Sequence, residues 1–370
     1  MEGRNLCIVV VDCSHLASAK ALSRKSRKLP IQVSAFCLSP SQLYHSLLIF
    51  ASQATASNSQ PYYQISEAQI DSSHANMENI PRNTGVHNFP GTENLRNDIY
   101  PAIDVSKTDS LQQPGKVVLI TGAGRGIGRS MAVQYARANV ATIIICARTA
   151  SELDEVEARV KEANANVTVK KETLNVTDGA AVKALAQSIE QSFGRLDILI
   201  NNAGLSQPWE PVGETDPENY WQVLEVNLHG PLLLTHAFLP LLVKTAETQK
   251  THVNVMNVTS IGAILVSPGS SSYGIAKLAL QRLSEFIGVE YGNKGVNIVG
   301  LHPGGVVTKL ANVIEEIKDC ELLNDVNDES VLTLEVLIDT PELCGGFVVW
   351  LSNEDRSWLN GRYVKSAEHR

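Results

Sequence analysis

Tyr273 and Lys277 form the pair of side chains whose types and spacing point most directly to chemistry. They are four positions apart, so on a helix they share one face, about one turn from each other. An ammonium beside a phenol favours the phenolate, which lowers the pKa of the Tyr from about 10 toward neutral pH. Such a phenol can give a proton to a carbonyl oxygen or remove one from an alcohol. Ser260 precedes Tyr273 by 13 residues, and its hydroxyl could hold the same oxygen.

A glycine-rich turn offers a binding site for an anion. Residues 121–128 read TGAGRGIG, and the glycines at 122, 126 and 128 have the spacing GxxxGxG rather than GxGxxG. Glycine lets the backbone turn tightly and approach a pyrophosphate, while the N–H groups that open the next helix favour anionic oxygens. The turn follows a predicted strand and precedes a predicted helix, which favours dinucleotide binding over a purely structural loop. We assign to this phosphate cradle Gly122, Arg125, Gly126, Ile127 and Gly128.

Short β-branched runs alternate with amphipathic segments from Gly115 onward. The predicted strands are Val117–Thr121, Thr142–Cys146, Val167–Lys171, Leu196–Ile200, Val253–Val258 and Val296–Leu301, with Gly361–Lys365 as a last edge strand. The predicted helices are Gly128–Ala138, Ser151–Ala163, Ala180–Phe193, Glu218–Val243 and Ser272–Tyr291. Each strand is a nearly continuous apolar run, which indicates a buried parallel sheet with helices on both faces. The predicted fold is therefore α/β, a doubly wound parallel sheet of the Rossmann type, with ligands bound beyond the carboxyl ends of its strands.

Several motifs in this region have the types and order of one known family. They are Asp197 in the fourth strand, Asn201-Asn202-Ala203-Gly204 after it, Asn227 in the next helix, Ser260, Tyr273, Lys277, and Pro303–Thr308 after the sixth strand. Residues 115–366 therefore resemble the short-chain dehydrogenase/reductase family in its single-domain form, and the downstream segments are similar to those of fungal members. The resemblance implies an oxidoreductase that interconverts a carbonyl and an alcohol, with hydride passing to or from a nicotinamide cofactor.

The resemblance also assigns roles to individual residues. It implies Ser260, Tyr273, Lys277 and Asn227 as catalytic residues, with Lys277 also binding the nicotinamide ribose and Asn227 holding a water of a proton relay. Besides the phosphate cradle, the implied cofactor-binding residues are Arg148, Asn175, Val176, Asn201, Ala203, Gly204, Tyr273, Lys277, Pro303, Gly304, Val306 and Thr308. Asn227 could also simply cap or kink its helix, and Asn175 stands where the family often has Asp.

The end of the second strand bears on the choice of cofactor. An acid there would bind the adenosine ribose hydroxyls and select NAD, whereas an Arg accommodates the additional phosphate of NADP. The chain has Cys146-Ala147-Arg148-Thr149 at this point, without an acid, and Arg125 in the glycine turn supplies a second cation. The two Arg residues favour NADP. NAD stays open as an alternative, because either Arg could be a solvated surface residue.

Composition and charge argue against several classes of function. The 370 residues carry 31 Lys and Arg against 39 Asp and Glu, a formal charge of −8, and such a chain is a poor partner for nucleic acid. No run of about 18 apolar residues is present, so we expect no membrane span. Six Cys residues without a CxxC pair or a nearby His cluster predict neither a metal site nor a disulfide framework. The apolar helix Glu218–Val243 is either a core helix or, as the resemblance implies, a helix-to-helix interface in a homodimer or homotetramer.

The first 97 residues differ from the rest in composition. Only three of the 25 glycines precede position 115, and Ser, Asn and Gln dominate from about residue 51 onward without apolar periodicity, which predicts a disordered extension over residues 1–97. The basic residues 1–50 weakly resemble a mitochondrial transit peptide. A mobile tail and a wrongly assigned start, with Met77 as the true one, are the alternatives for residues 1–76. We expect residues 98–113 to pack as an arm on a catalytic domain over 114–366, and the protein to be cytoplasmic unless the transit peptide is real.

The predicted function is that of an NADP-dependent oxidoreductase acting on a small carbonyl or alcohol substrate. Leu205–Pro211, Ile261–Gly269 and Lys309–Thr340 surround the expected substrate position, and apolar residues such as Trp209 and Val266 indicate a substrate of low polarity. An apolar pocket discriminates poorly between similar shapes, so the sequence does not identify the substrate. Two alternatives stay open: the same enzyme using NAD to oxidise an alcohol, and a nucleotide-binding scaffold of this fold without turnover.

Overall fold

Seven short strands form one sheet in the part of the chain that the structure describes. The computed structural model describes residues 96–310 and 339–367, which all fall within one compact unit of the chain, His74–Arg370. The strands are β1 Val117–Thr121, β2 Thr142–Ala147, β3 Thr168–Thr173, β4 Ile198–Asn201, β5 Val253–Val258, β6 Val296–His302 and β7 Tyr363–Lys365. Every neighbouring pair is parallel, in the order β3-β2-β1-β4-β5-β6-β7. The predicted parallel sheet is confirmed.

Helices connect and cover these strands. They are α1 Gly126–Arg137, α2 Ala150–Ala163, α3 Gly179–Phe193, α4 Pro217–Leu224, α5 Gly230–Gln249, α6 Ser271–Tyr291 and α7 Pro341–Asn353. Helix α3 shows how local residues set the boundaries: the Asp178 side chain accepts hydrogen bonds from two N–H groups of the first turn, and Gly194 ends the helix in a left-handed conformation. A π-helical turn, Glu225–His229, separates α4 from α5, so the predicted helix Glu218–Val243 is two helices.

Alternate residues of β1 pack on opposite faces of the sheet. Val118 and Ile120 join an apolar cluster with α1, α2 and α7, whereas Val117 and Leu119 join a cluster with α3 and α5. Helices therefore cover both faces, as a doubly wound parallel sheet requires. The chain runs from β1 outward to β3 and then returns to β4 on the other side of β1. The crevice at the carboxyl ends of β1 and β4 is thus the place where this fold binds ligands.

Strand β3 differs from its prediction as a buried strand. Its residues are exposed or half-buried, whereas those of β1 and β2 are buried throughout. It is one of the two outer strands of the sheet, and Lys170 and Lys171 form ion pairs there with Glu172 and Asp154. Charged side chains on an outer strand hinder pairing with the edge of another sheet. The prediction was wrong because the order of strands, which places β3 at an edge of the sheet, cannot be read from the residues of the strand itself.

Helix α5 packs its inner face into the core. Leu234, Phe238 and Leu242 are buried in the same apolar cluster as strand residues of the sheet. By length and composition alone, the helical stretch Pro217–Gln249 could cross a membrane, and it is the one such stretch among the described residues. Much of the apolar surface of the predicted Glu218–Val243 helix is therefore buried in the core of this protein.

Residues 98–113 lie against α7, a helix that the sequence did not lead us to expect. Two 3₁₀ turns in this segment bury Ile103 and Leu111. Gly346 allows the close approach, since a Cβ there would lie 2.5 Å from the Ile103 carbonyl oxygen. The Gln113 Nε2 donates to the Val349 carbonyl oxygen of α7 at 2.8 Å. The division of the chain at residues 97 and 113 stays a prediction, and the predictions for residues 1–95 and 311–338 lie outside the described residues.

Candidate active site

The turn between β1 and α1 has a backbone that glycine adopts with least strain. Gly122 and Gly126 have positive φ angles of 63° and 53°. A Cβ on Gly128 would lie 2.4 Å from the Gly122 carbonyl oxygen, so any side chain there would displace the turn. Helix α1 begins at Gly126 without a side-chain cap from the described residues. The turn lines a pocket, and its backbone can therefore receive the oxygens of a pyrophosphate. These residues fit a dinucleotide.

Asn202 ties this turn to the end of β4. Its Nδ2 donates to the carbonyl oxygens of Thr121 and Gly122 at 2.9 and 3.0 Å. The preceding Asn201 points away from the pocket and donates to Asn257 Oδ1 at 2.7 Å and to Thr235 Oγ1 at 3.1 Å. Successive side chains of an extended strand alternate in direction, so Asn202, rather than the predicted Asn201, forms the pocket wall.

Asn227 lies fully buried in the π-helical turn between α4 and α5. Its Nδ2 donates to the carbonyl oxygens of Leu205 and Val223 at 2.6 and 2.9 Å, and its Oδ1 accepts from the Leu205 N–H at 3.3 Å. A Cβ on Gly204 would lie 3.1 Å from the Asn227 Oδ1 and 3.8 Å from the Lys277 Nζ. The two polar atoms therefore both lie close to Gly204, which lines the pocket.

Tyr273 and Lys277 share one face of α6, and both line the pocket. Lys277 is 3% exposed. Its Nζ donates to the Val258 carbonyl oxygen at 2.8 Å and lies 5.5 Å from the centre of the Tyr273 ring. Burial lowers the pKa of Lys277 to about 7. Burial also raises the pKa of Tyr273, and a hydrogen bond with Ser260 opposes this in part.

The pKa of Tyr273 is raised rather than lowered as expected, and Lys277 is not among the groups that shift it. Desolvation disfavours the phenolate of Tyr273 and the ammonium of Lys277 alike. Tyr273 therefore keeps its proton at neutral pH, while Lys277 changes its charge there. The spacing of the pair correctly brings the side chains together, but it carries no information on how deeply they are buried.

Ser260 stands at the entrance to a 3₁₀ turn, Ile261–Ala263, directly after β5. Its Oγ accepts a hydrogen bond from the Gly262 N–H at 3.1 Å. The same hydroxyl hydrogen-bonds the Tyr273 phenol. Two hydroxyl groups that could hold one substrate oxygen therefore lie side by side.

The sequence analysis missed an acid near the predicted Arg residues. Glu152, in the first turn of α2, accepts a hydrogen bond from Arg125 Nη1 at 2.7 Å. It lines the same pocket as Arg148, which is exposed. The ion pair partly balances the charge of Arg125, although both side chains are accessible to solvent. No local spacing signals this contact, because Arg148 precedes α2 and Glu152 pairs with Arg125, 27 positions earlier in the chain.

The pocket brings together most of the predicted site residues. Those that line it are Gly122, Arg125, Gly126, Ile127, Gly128, Arg148, Asn175, Val176, Ala203, Gly204, Tyr273, Lys277, Pro303 and Thr308. Those that lie outside its wall are Asn201, Asn227, Ser260, Gly304 and Val306. Gly304 has a φ of 93° and packs on Asp339, whose carboxylate accepts from the Gly305 N–H at 2.7 Å. No cluster of three His, Cys, Asp or Glu side chains suited to a metal occurs among the described residues.

Comparison with known proteins identifies the family. The model of the short chain dehydrogenase family matches residues 116–319. The short chain dehydrogenase mpl6 of Monascus purpureus is 42% identical over 283 residues, which cover 75% of this chain and 88% of that protein. This chain belongs to the short chain dehydrogenase family. The protein is therefore an oxidoreductase with a Rossmann-like fold, and its resemblance to fungal members is confirmed.

Solved structures show the same fold with either cofactor. One is a putative NAD(P) dependent gluconate 5-dehydrogenase from Beutenbergia cavernae with bound NADP, 23% identical with a TM-score of 0.59 over 70% of this chain and 97% of that chain. The other is an NAD⁺-bound xylitol dehydrogenase, 23% identical with a TM-score of 0.59 over 69% of this chain and 99% of that chain. At this identity the likeness concerns the fold alone, so the choice of cofactor depends on the residues of the pocket.

Proposed function

We propose that this short chain dehydrogenase uses NADP to interconvert a carbonyl and an alcohol. The observation that supports this most strongly is the meeting of Tyr273, Lys277 and the glycine turn in one pocket. A dinucleotide on the turn would extend along the carboxyl ends of the strands. When bound, its nicotinamide supplies or accepts the hydride. The protein's own side chains must then transfer the proton at the substrate oxygen.

Tyr273 is the proposed proton donor and acceptor. Because burial raises its pKa, the phenol holds at neutral pH the proton that the oxygen of a reduced carbonyl takes up. Ser260 would hold that oxygen from the side. Lys277, with a pKa of about 7, can supply the positive charge that favours the phenolate left behind. Asn227 Oδ1 and Lys277 Nζ both lie near Gly204, and a water bound between the two side chains would return a proton to the site.

Two Arg residues and one Glu set the proposed choice of NADP. Arg148 and Arg125 offer charge-assisted hydrogen bonds to the additional phosphate. Glu152 opposes them, since its carboxylate already binds Arg125 and would repel a phosphate. A ribose hydroxyl could instead donate to Glu152, so this acid should moderate the preference for NADP rather than reverse it.

Nucleotide titrations of three variants test this assignment. Quenching of the intrinsic fluorescence gives the Kd of NADPH and of NADH. Arg148→Ala should weaken NADPH about 10- to 150-fold and NADH much less, because a hydrogen bond to a charged group contributes about 1.5–3 kcal/mol. Glu152→Gln should tighten NADPH relative to NADH by several fold. Lys183→Ala, an exposed position on α3, should change neither Kd. Equal losses of both nucleotides in Arg148→Ala would contradict NADP selectivity, and binding without turnover on any carbonyl would favour a silent scaffold.

An apolar surface beside Ser260 supports a substrate of low polarity. Ile264, Leu265 and Val266 follow the 3₁₀ turn and are 58%, 50% and 96% exposed. The chain near Trp209 packs against Gly269, where a Cβ would lie 2.7 Å from the Trp209 carbonyl carbon. Two of the three predicted substrate segments, Leu205–Pro211 and Ile261–Gly269, therefore touch at Gly269. A hydrophobic ketone or aldehyde could cover these side chains and remove them from water.

A stripe of exposed apolar side chains supports assembly into a homodimer or homotetramer. Ile275, Leu278, Phe286 and Val289 lie on one side of α6 and are 51%, 53%, 60% and 85% exposed. Their spacing places them along a single face of the helix. We propose that the α6 stripe pairs with that of a second copy, because identical stripes are self-complementary about a two-fold axis.

A further inference from the structure

One peptide unit beside the proposed active site has both of its polar groups held by side chains. The Ile261 N–H donates to the His302 Nδ1 at 3.1 Å. The Ser260 carbonyl oxygen accepts from the Tyr363 hydroxyl at 3.2 Å and also from the Ala263 N–H at 3.0 Å. This unit follows the Cα of Ser260 directly, so its orientation bears on the direction of the Ser260 side chain.

The end of the pairing between β5 and β6 explains why side chains, rather than backbone groups, bind this peptide unit. The Thr259 N–H donates to the Leu301 carbonyl oxygen at 2.7 Å, so the pairing of β5 with β6 continues one residue past Val258. The chain then leaves the sheet and enters the 3₁₀ turn. His302 is the last residue of β6, and Tyr363 is the first residue of β7. The two strands beyond β5 thus supply one acceptor and one donor to the departing peptide.

The protonation state of His302 follows from its partner. Because its Nδ1 accepts from an N–H group, that nitrogen carries no proton, and the neutral ring holds its proton on Nε2. Burial, together with repulsion from Lys365, lowers the pKa of His302 to about 4. The acceptor is therefore present at neutral pH.

The held peptide is linked to Tyr273 by two contacts. The Ser260 Oγ accepts from the Gly262 N–H and hydrogen-bonds the Tyr273 phenol. A Cβ on Gly262 would lie 3.7 Å from the Tyr273 ring, so the 3₁₀ turn packs beside that ring. A rotation of the Ser260–Ile261 peptide would displace both the hydroxyl and the turn.

We propose that His302 is a positioning residue that holds the Ser260–Ile261 peptide and thereby keeps the Ser260 hydroxyl beside the Tyr273 phenol. His302 acts through Ser260 and touches no reacting atom. Tyr363 supports the same peptide from its other side, with a smaller effect, because the Ala263 N–H shares the carbonyl oxygen. The inference rests on the proposed function, since it matters for turnover only if Ser260 holds the substrate oxygen.

A double-mutant cycle tests this role. His302→Leu removes the acceptor and keeps an apolar side chain, whereas His302→Asn offers an acceptor oxygen at the same branch position. Turnover is measured with NADPH and whichever of acetophenone, cyclohexanone and benzaldehyde is reduced fastest. His302→Leu should lower kcat at least about tenfold, as misplaced groups do, without changing the Kd of NADPH. His302→Asn should keep kcat within about threefold of wild type. In a Ser260→Ala background, His302→Leu should have no further effect.

The outcomes separate this inference from the proposed function. The positioning role alone would be overturned if the fold-losses in kcat of Ser260→Ala and His302→Leu multiplied in the double variant. Equal losses of kcat in His302→Leu and His302→Asn would overturn it as well. Full turnover of Ser260→Ala would refute the role of Ser260 in catalysis and this inference with it. Amide hydrogen exchange supplies a readout that needs no substrate: the Ile261 N–H should lose protection in the Leu variant and keep it in the Asn variant. Equal protection in both variants and in the wild type would also overturn the proposal.

Discussion

Replacing Lys277 with Met should stabilise the cofactor-free protein, most strongly at neutral and acidic pH. Lys277 is 3% exposed, and burial lowers its pKa from 10.5 to about 7. This difference of about 3.5 units corresponds to about 5 kcal/mol, since one unit is about 1.4 kcal/mol. Below pH 7 the folded protein bears this whole cost, because it then contains a buried ammonium group.

The direction of the pH dependence follows from the protons bound in each state. Between pH 7 and pH 10.5 the unfolded chain keeps the Lys277 proton, whereas the folded protein has released it. The free energy of unfolding of the wild type therefore rises through this window by about 1.4 kcal/mol per pH unit from this residue alone. Met carries no proton, so the advantage of Lys277→Met should shrink by about 3 kcal/mol between about pH 7 and about pH 9.5.

Urea unfolding followed by circular dichroism at several pH values measures this change. The exposed Lys183→Met is the control and should follow the wild type. Lys116, whose pKa burial lowers to about 8, is present in all three proteins, so its contribution cancels. Loss of the hydrogen bond to the Val258 carbonyl costs the Lys277 variant about 1 kcal/mol at every pH, and the change with pH is therefore the quantity to compare. A difference between variant and wild type that stays constant with pH would refute a buried, weakly basic Lys277.

Two further predictions concern the N-terminal third and the α6 stripe. Removal of residues 1–76 should leave melting temperature and turnover nearly unchanged. A cut beyond Gln113 should lower the melting temperature, because it removes the buried side chains of Ile103 and Leu111, each of which contributes about 1.5–3 kcal/mol. A large loss of stability from the shorter cut would mean that a folded segment had been mistaken for a tail. Phe286→Glu should shift the protein toward smaller assemblies in sedimentation velocity, with Lys183→Glu as the control, since a charge on the stripe opposes its burial; unchanged sedimentation would place the interface elsewhere.

The sequence predicts those features of the fold that depend on local pattern. The strand Val117–Thr121 is found with its predicted bounds, because a β-branched run between turn residues is informative without knowledge of its neighbours. The exposure of β3 and the helix α7 are different. Which strand lies at the edge is a property of the sheet order, and α7 follows residues 311–338, in whose long apolar and acidic stretch we identified no boundary.

The same distinction applies to the candidate site. Tyr273 and Lys277 are close because of their spacing on one helix, and the sequence reveals this directly. Their pKa shifts depend on burial by the whole fold, and the expectation for Tyr273 failed for that reason. His302 acts on a peptide 41 residues away along the chain, and only the order of strands β5, β6 and β7 brings the two together. Contacts of this kind leave no periodic signal in a sequence.

Transfer of deuterium from labelled NADPH tests most directly whether the protein moves hydride with Tyr273 as the proton donor. Wild-type protein is incubated with NADPH that carries deuterium at both C4 positions of the nicotinamide and with acetophenone, cyclohexanone or benzaldehyde, and mass spectrometry follows the label. We expect the alcohol product to carry one deuterium on its carbinol carbon. Tyr273→Phe should bind NADPH normally and form this product at least about a hundredfold more slowly, as loss of a positioned acid does. Absence of label from the alcohol, or an undiminished rate in Tyr273→Phe, would contradict the proposed function.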